Sequence, residues 1–263
     1  METERKNALL IVDPQNDFCD QRGSLYVEGA AADIARLAKH IAAEPGRYDG
    51  IYISLDSHDV IAVFHPRYWA DAAGVHPAPY TAITRGDLFA HGGRWRPSNP
   101  ANGMQTEKFF DAMDRKGLES LMIWPEHCVV STWGHQVADT LREALAIWRS
   151  ATGQAVRFCF KGENPYSEQF SVFEGVDDSW EDMRFNERLY RALAVCASVT
   201  FAGEALSHCV EASVASYMNR LRTDGRVQTV RLLADCTSPV TGFDGDASLE
   251  HLRGLGVECV TTS

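Results

Sequence analysis

The 263-residue chain contains no CxxC pair, no internal repeat and no low-complexity tract. It also has no apolar run near the roughly 20 residues a membrane helix needs. Positive charge is scarce: 25 Lys and Arg stand against 36 Asp and Glu, a net charge of −11. That balance argues against a basic nucleic-acid face. The start, Met1-Glu2-Thr3-Glu4-Arg5-Lys6, is charged and lacks the apolar stretch of a signal peptide. The expectation is a cytoplasmic protein that binds no nucleic acid and no membrane. Seven cysteines, an odd number without paired spacing, then read as reduced thiols. Most of them fit small buried apolar positions, and one is a candidate reactive thiol.

What is present is an ordinary globular composition, 45% hydrophobic and 23% charged. We expect one domain over residues 1–263. Short apolar runs alternate with amphipathic stretches. Strands are predicted at 8–12, 50–55, 155–160, 198–202, 227–233 and 257–261. Helices are predicted at 30–44, 136–148, 187–193, 209–221 and 247–255. This βαβα order with nearly continuous apolar strands predicts an α/β fold: a three-layer αβα arrangement around a mostly parallel six-stranded sheet. One segment, about 66–118, breaks the rhythm with Pro, Gly, Trp and His, as in His91-Gly92-Gly93-Arg94-Trp95-Arg96-Pro97. We read it as an ordered excursion, a lid or a subunit contact.

Open α/β sheets build sites beyond the C-terminal ends of their strands. Asp13, Asp56, Lys161 and the run Glu204 to Cys209 all fall at such ends. A lone polar residue there is usually only a loop residue, so it is their convergence that carries weight. Cys209 opens a predicted helix, where the helix N-terminus and Lys161 are expected to lower the thiol pKa. Backbone N–H groups at that turn can hold a developing oxyanion. Cys128, in Trp124-Pro125-Glu126-His127-Cys128, is the rival thiol.

Asp56 and His58 are two apart, so an extended backbone turns both to one side. With His127 they make three ligands, the pattern of an open catalytic metal site; His65 is a weaker candidate. Other residues keep plain readings. His208 is expected to hold the turn beside Cys209, and His135 to sit at a helix surface or the site rim. Trp69, Trp95, Trp133, Trp148 and Trp180 are expected in the core or at an interface, with Trp69 and Trp95 the better substrate stackers.

Taken in order, several segments resemble the nicotinamidase branch of the isochorismatase-like cysteine hydrolases. They are Ile11-Val12-Asp13-Pro14-Gln15-Asn16-Asp17-Phe18-Cys19, Gly23 to Ala30, Asp56-Ser57-His58, Ile123 to Val129, Lys161-Gly162, Phe173-Glu174-Gly175 and Gly203-Glu204-Ala205-Leu206-Ser207-His208-Cys209-Val210. They span nearly the whole chain outside 66–118. The chain departs from the family pattern at Asp56-Ser57-His58-Asp59, where Asp-Trp-His-Pro is usual, and at Ser207, where Asp or Thr is common.

The resemblance implies a catalytic triad of Asp13, Lys161 and Cys209. It implies a cis peptide between Glu204 and Ala205 that turns the N–H groups of Ala205 and Cys209 into an oxyanion hole. It implies Phe18 and Trp124 sandwiching a flat substrate ring, and Asp56, His58 and His127 holding one divalent ion, zinc first, with manganese or iron as alternatives. The activity implied is hydrolysis of a small aromatic or heterocyclic amide, nicotinamide to nicotinate and ammonia, by a homo-oligomer. Two other readings are a metal-independent cysteine amidohydrolase acting on a different amide, ureido or carbamoyl substrate, and a non-catalytic binding member. A true isochorismatase lacks the cysteine and the metal set.

Overall fold

A computed structural model describes residues 6–262; the charged start Met1–Arg5 lies outside the described residues. The chain begins with strand β1 (Asn7–Val12), helices α1 (Asn16–Cys19) and α2 (Ala30–Ala43), and strand β2 (Gly50–Asp56). The excursion follows, with two-residue strands β3 (Trp69–Ala70), β4 (Ala82–Ile83) and β5 (Arg96–Pro97), then helix α3 (Gly103–Arg115). Next come β6 (Leu121–Met122), α4 (Asp139–Thr152), β7 (Arg157–Lys161), α5 (Glu187–Ala194) and β8 (Ser198–Gly203). The chain closes with α6 (Glu211–Thr223), β9 (Thr229–Leu233), α7 (Gly245–Gly254) and β10 (Glu258–Val260).

Six strands form one sheet in the order β10-β9-β8-β1-β2-β7, and every pairing in it is parallel. Alternation along β1 divides the core in two. Leu9 and Ile11 pack with α2 and α4, whereas Ala8, Leu10 and Val12 face α5, α6 and α7. Both faces are therefore covered, which is why these strands read as continuous apolar runs. The three-layer αβα expectation holds, and all six predicted strands are present.

The excursion is built into the same core. Tyr68, Trp69, Leu88, Trp95, Phe109 and Phe110 are buried with the residues of α2 and α4. Trp69 donates its indole N–H to Val63 O at 2.6 Å, and Tyr68 Oη lies 2.8 Å from Thr106 Oγ1. Trp69 and Trp95 are thus core residues rather than substrate stackers, and Trp148 is buried as expected. Helix α3 was not predicted. Its apolar spacing, Thr106, Phe109, Phe110 and Met113, is helical, but it lies within a Pro- and Gly-rich stretch that masks the period.

Candidate active site and metal centre

Beta-strand register brings the reactive groups together. Strand β1 lies centrally between β8 and β2, and β7 is the outer neighbour of β2. Val12 is in register with Gly203, and Asp56 with Lys161. Gly203 has φ +108°, and a Cβ there would stand 2.0 Å from Val12 O, so only glycine allows this close approach. The chain then leaves β1 and β8 at Asp13 and Glu204, side by side.

Asp13 is fully buried, with φ +43°. Its N–H donates to Ser54 Oγ at 3.1 Å, and the Ser54 hydroxyl donates back to Asp13 Oδ1 at 2.6 Å. Lys161 Nζ lies 3.0 Å from Asp13 Oδ2 and 2.8 Å from Asp56 Oδ1. The same ammonium reaches Gln169 O at 3.1 Å and Cys209 Sγ at 3.5 Å. One cation therefore ties two carboxylates and the thiol together, all of them buried. The Glu204–Ala205 peptide is cis, as the resemblance implied. Among the described residues no acceptor takes the Ala205 N–H.

The electrostatics correct one expectation. Cys209 sits in a π-turn, Leu206–Val210, that leads into α6. Burial pushes its thiol well above the usual range, and Lys161 offsets this only in part. Burial, outweighing the pull of Lys161, also raises the Asp13 carboxyl. Burial acts against the Lys161 ammonium, but Asp13, Asp56 and Cys209 more than compensate and hold it charged. The lowered thiol pKa expected from the helix start is thus overridden by desolvation. The resting group is a thiol next to a carboxylate that holds protons unusually well.

Asp56, His58 and His127 converge, with their ligand atoms within 4.8 Å of one another. Asp56 Oδ2 is 3.1 Å from His58 Nε2 and 3.8 Å from His127 Nε2. Each imidazole gives its other nitrogen to a carbonyl: His58 Nδ1 to Gly162 O at 3.0 Å, and His127 Nδ1 to Pro125 O at 2.8 Å. Those bonds account for each Nδ1 and turn both Nε2 atoms toward the Asp56 carboxylate. Burial acts against a charged His58, but Asp56 more than compensates and raises its pKa, so the three ligand atoms converge where a positive charge is held and a divalent ion would fit. Burial and the neighbouring His58 push His127 down to about 4, so it stands ready as a neutral ligand.

A second group, Asp13, Asp56 and Cys209, converges as closely, but the Lys161 ammonium already serves as its cation. His65 falls outside both sets. It packs behind His127, with Nε2 3.4 Å from His127 Nδ1, and burial pushes it down to about 2.

Phe18 and Trp124 are both buried near the cluster. The Phe18 ring lies 5.5 Å from that of His127, edge-on, and Trp124 lies 5.2 Å from His208. His208 does hold the turn, through a 2.9 Å bond to Ser207 Oγ, but its ring also meets Trp124, Phe170 and Phe243. It is therefore part of an aromatic wall. His135 is at the rim, 2.8 Å from Ser57 Oγ. Cys128, the rival thiol, is fully buried, and its N–H donates to Asp17 Oδ2 at 2.6 Å.

Sequence reasoning missed two supporting glutamines. Gln15 brackets Asp56, accepting its N–H at 2.7 Å and donating to its carbonyl at 2.8 Å. Gln169 accepts the Gly162 N–H at 2.9 Å and offers its own carbonyl to Lys161. Gln15 stands in the first motif segment, beside Asp13, which was the available signal.

No family model matches the chain. It is 27% identical over 260 residues to the nicotinamidase/pyrazinamidase of Mycobacterium tuberculosis, covering 97% of this chain and 99% of that protein. The structure of the yeast nicotinamidase superposes with a TM-score of 0.68 at 20% identity, covering 97% of this chain and 99% of that one. The Pyrococcus horikoshii pyrazinamidase, solved in complex with zinc, superposes with a TM-score of 0.57 at 20% identity, covering 97% and 99%. The fold is the one these nicotinamidase and pyrazinamidase structures share. In sequence the chain is similar to the curated nicotinamidases over most of its length.

Proposed function

We propose that this protein is an amidohydrolase with Cys209 as nucleophile, acting on nicotinamide or a closely related heterocyclic amide to release the acid and ammonia. The observation that carries the reading is the buried array in which Lys161 Nζ lies 3.0 Å from Asp13 and 3.5 Å from Cys209 Sγ. The likeness to the Mycobacterium tuberculosis nicotinamidase/pyrazinamidase over 260 residues supports the substrate class.

In this mechanism Asp13 takes the thiol proton as the sulfur attacks the amide carbon. Because Asp13 holds protons well and Lys161 stays charged beside it, the transfer exchanges one buried negative charge for another rather than creating a new one. The N–H groups of Ala205 and Cys209 hold the oxyanion. Asp13 returns the proton to the departing nitrogen, which leaves as ammonia. Water then attacks the thioester with Asp13 as base, giving the acid and restoring the thiol. Phe18 and Trp124 flank the ring.

Asp56, His58 and His127 would hold one divalent ion; the zinc in the Pyrococcus horikoshii pyrazinamidase supports zinc there. When bound, the ion would supply a ligand position for the ring nitrogen of the substrate, directly or through water. The same reading takes 1–263 as one hydrolase domain, with 66–118 covering the pocket or meeting another subunit of a cytoplasmic homo-oligomer. No helix of the described residues is long and apolar enough to cross a membrane.

The test is ammonia release from nicotinamide against a panel of amides and ureido compounds, with metal content measured alongside. We expect nicotinamide or a ring analogue to lead the panel, and about one transition-metal ion per chain that is lost in His58→Ala and His127→Ala. Turnover of a ureido compound by a metal-free native protein would overturn the reading.

A further inference from the structure

Beneath the turn that carries Ala205 lies a second pair of carboxyl groups, apart from the lysine cluster. Glu204 is 0% exposed, and Asp33, in the first turn of α2, is 2% exposed. Glu204 Oε2 accepts the Ser238 N–H at 3.1 Å, whereas no donor reaches Oε1. Asp33 is supplied with donors on both oxygens: the Arg36 guanidinium at Oδ1 and the Ser238 hydroxyl at Oδ2. Ser238 bridges the pair, its N–H on Glu204 and its hydroxyl on Asp33, which sets the two buried carboxyl groups close together. Carboxyls buried so close avoid like-charge repulsion when one keeps its proton and donates it to the other. Asp33, with a cation and a hydroxyl donating to it, is the anion. Glu204, with an oxygen that no donor reaches, is the acid.

We propose that Glu204 is a positioning residue for the reaction read above: it keeps its proton at neutral pH and donates it to the Asp33 carboxylate, locking the turn at 203–207, the Ser238 loop and the start of α2 into one unit under the Ala205 N–H. The surrounding bonds fit that role. The Leu206 N–H donates to Ser238 O at 2.8 Å, and the Val240 N–H donates to Ser207 Oγ at 3.0 Å. Gly29, at the start of α2, has φ +99°, and a Cβ there would come within 2.5 Å of Ser238 Oγ, so the helix start is shaped to the serine.

The charges around Glu204 are few. From α2 come Asp33 and Arg36, with the guanidinium bound to Asp33 and to Asp235 O. From the loop after β9 come Cys236 and Asp235, whose carboxylate binds Thr262. From α1 comes Cys19, held as a thiol by burial. Burial first, and the neighbouring Asp33 second, push the Glu204 carboxyl well above its usual range. Because the folded state raises this pKa, the stability it contributes is present below the unfolded value and is lost as pH rises through the folded one. Ionised Glu204 would face Asp33 with one cation between two negative charges, and the turn would loosen.

This proposal rests on the amidohydrolase reading only for its kinetic arm, and its infrared arm is independent of substrate. In the full chain with its metal, the infrared carbonyl stretch of a protonated carboxylic acid should be present at neutral pH in the wild type. It should lose intensity in Glu204→Gln and Glu204→Leu, and fade in the wild type as pH is raised. In thermal melts against pH, the wild type should lose stability on the alkaline side relative to Glu204→Gln. In kinetics, Glu204→Gln, which still donates and accepts, should stand at least about tenfold above Glu204→Leu in kcat/KM at neutral pH, equal to about 1.4 kcal/mol. Its alkaline limb should flatten relative to the wild type. An acid band equal in wild type and Glu204→Gln would overturn the proposal. Equal activity of the Gln and Leu variants across the pH range would also overturn it. A protein inactive on every amide tested would sink the functional reading and leave the infrared and melting results to decide this one.

Discussion

The two ends of the sheet differ in kind. At the N-terminal ends of β1, β2 and β7 opens a groove of about 1020 Å³, lined by Lys6, Tyr52, Arg157, Phe158 and Cys196 among others. It is roomy and holds two half-buried cysteines, Cys159 and Cys196. At the C-terminal ends an ammonium, two carboxylates and a thiol are buried in mutual contact. Chemistry follows desolvated, paired charge rather than volume, because burial is what separates a proton affinity from its value in water.

The largest expected effect breaks the comparison outright. Cys209→Ala should lower kcat/KM by at least about 10⁴-fold, whereas Cys196→Ala in the groove should stay within about twofold, both read as ammonia release. An active Cys209→Ala would move the chemistry elsewhere.

Next is stability. Lys161→Met leaves Asp13 and Asp56 buried without their cation, and denaturant unfolding should show a loss of about 3–5 kcal/mol. Arg157→Met, at the exposed rim of the groove, should cost under about 1 kcal/mol.

Gly162→Ala sharpens the metal side. At φ +72° an added Cβ would meet the His58 ring at 2.5 Å and Asp56 Oδ1 at 2.8 Å. Metal affinity should fall about 10–100-fold by titration, while Gly46→Ala, with open space around its Cβ, should leave it unchanged.

The smallest effect is on pH. Protonated Asp13 cannot accept the thiol proton, so activity should fall as pH drops through a pKa raised by burial. The acid limb of kcat/KM should therefore lie above the ordinary aspartate range of about 4, and an acid limb at the ordinary value would mean that Asp13 is not the base.

Much of this was legible in the sequence, for identifiable reasons. Strands buried on both faces read as apolar runs, and strand-end logic placed Asp13, Asp56, Lys161 and Cys209 on one edge. The meeting of Asp56, His58 and His127 was only weakly legible from spacing, since two residues two apart in an extended segment are a common pattern, and their reading as a ligand set came from the family resemblance. Features that depend on distant partners were not legible. The Glu204–Asp33 pair joins residues far apart in the chain, and no local pattern marks it. The raised Cys209 thiol reflects depth of burial, which a helix-start argument omits. The two-residue strands of the excursion carry too few side chains to show a period, and α3 was hidden by its glycine- and proline-rich flanks.

The register that aligns Asp56 with Lys161 across 105 residues, and Val12 with Gly203 over a still longer span, also bears on how the protein is made. Contacts of such separation form late, because loop closure must come before they can contribute. Until β7 and β8 have docked against the strands from the chain's beginning, Cys209 has neither its base nor its cation. A nascent or partly unfolded chain would therefore carry seven ordinary cysteines, and Cys209 would meet Asp13 and Lys161 only in the completed sheet.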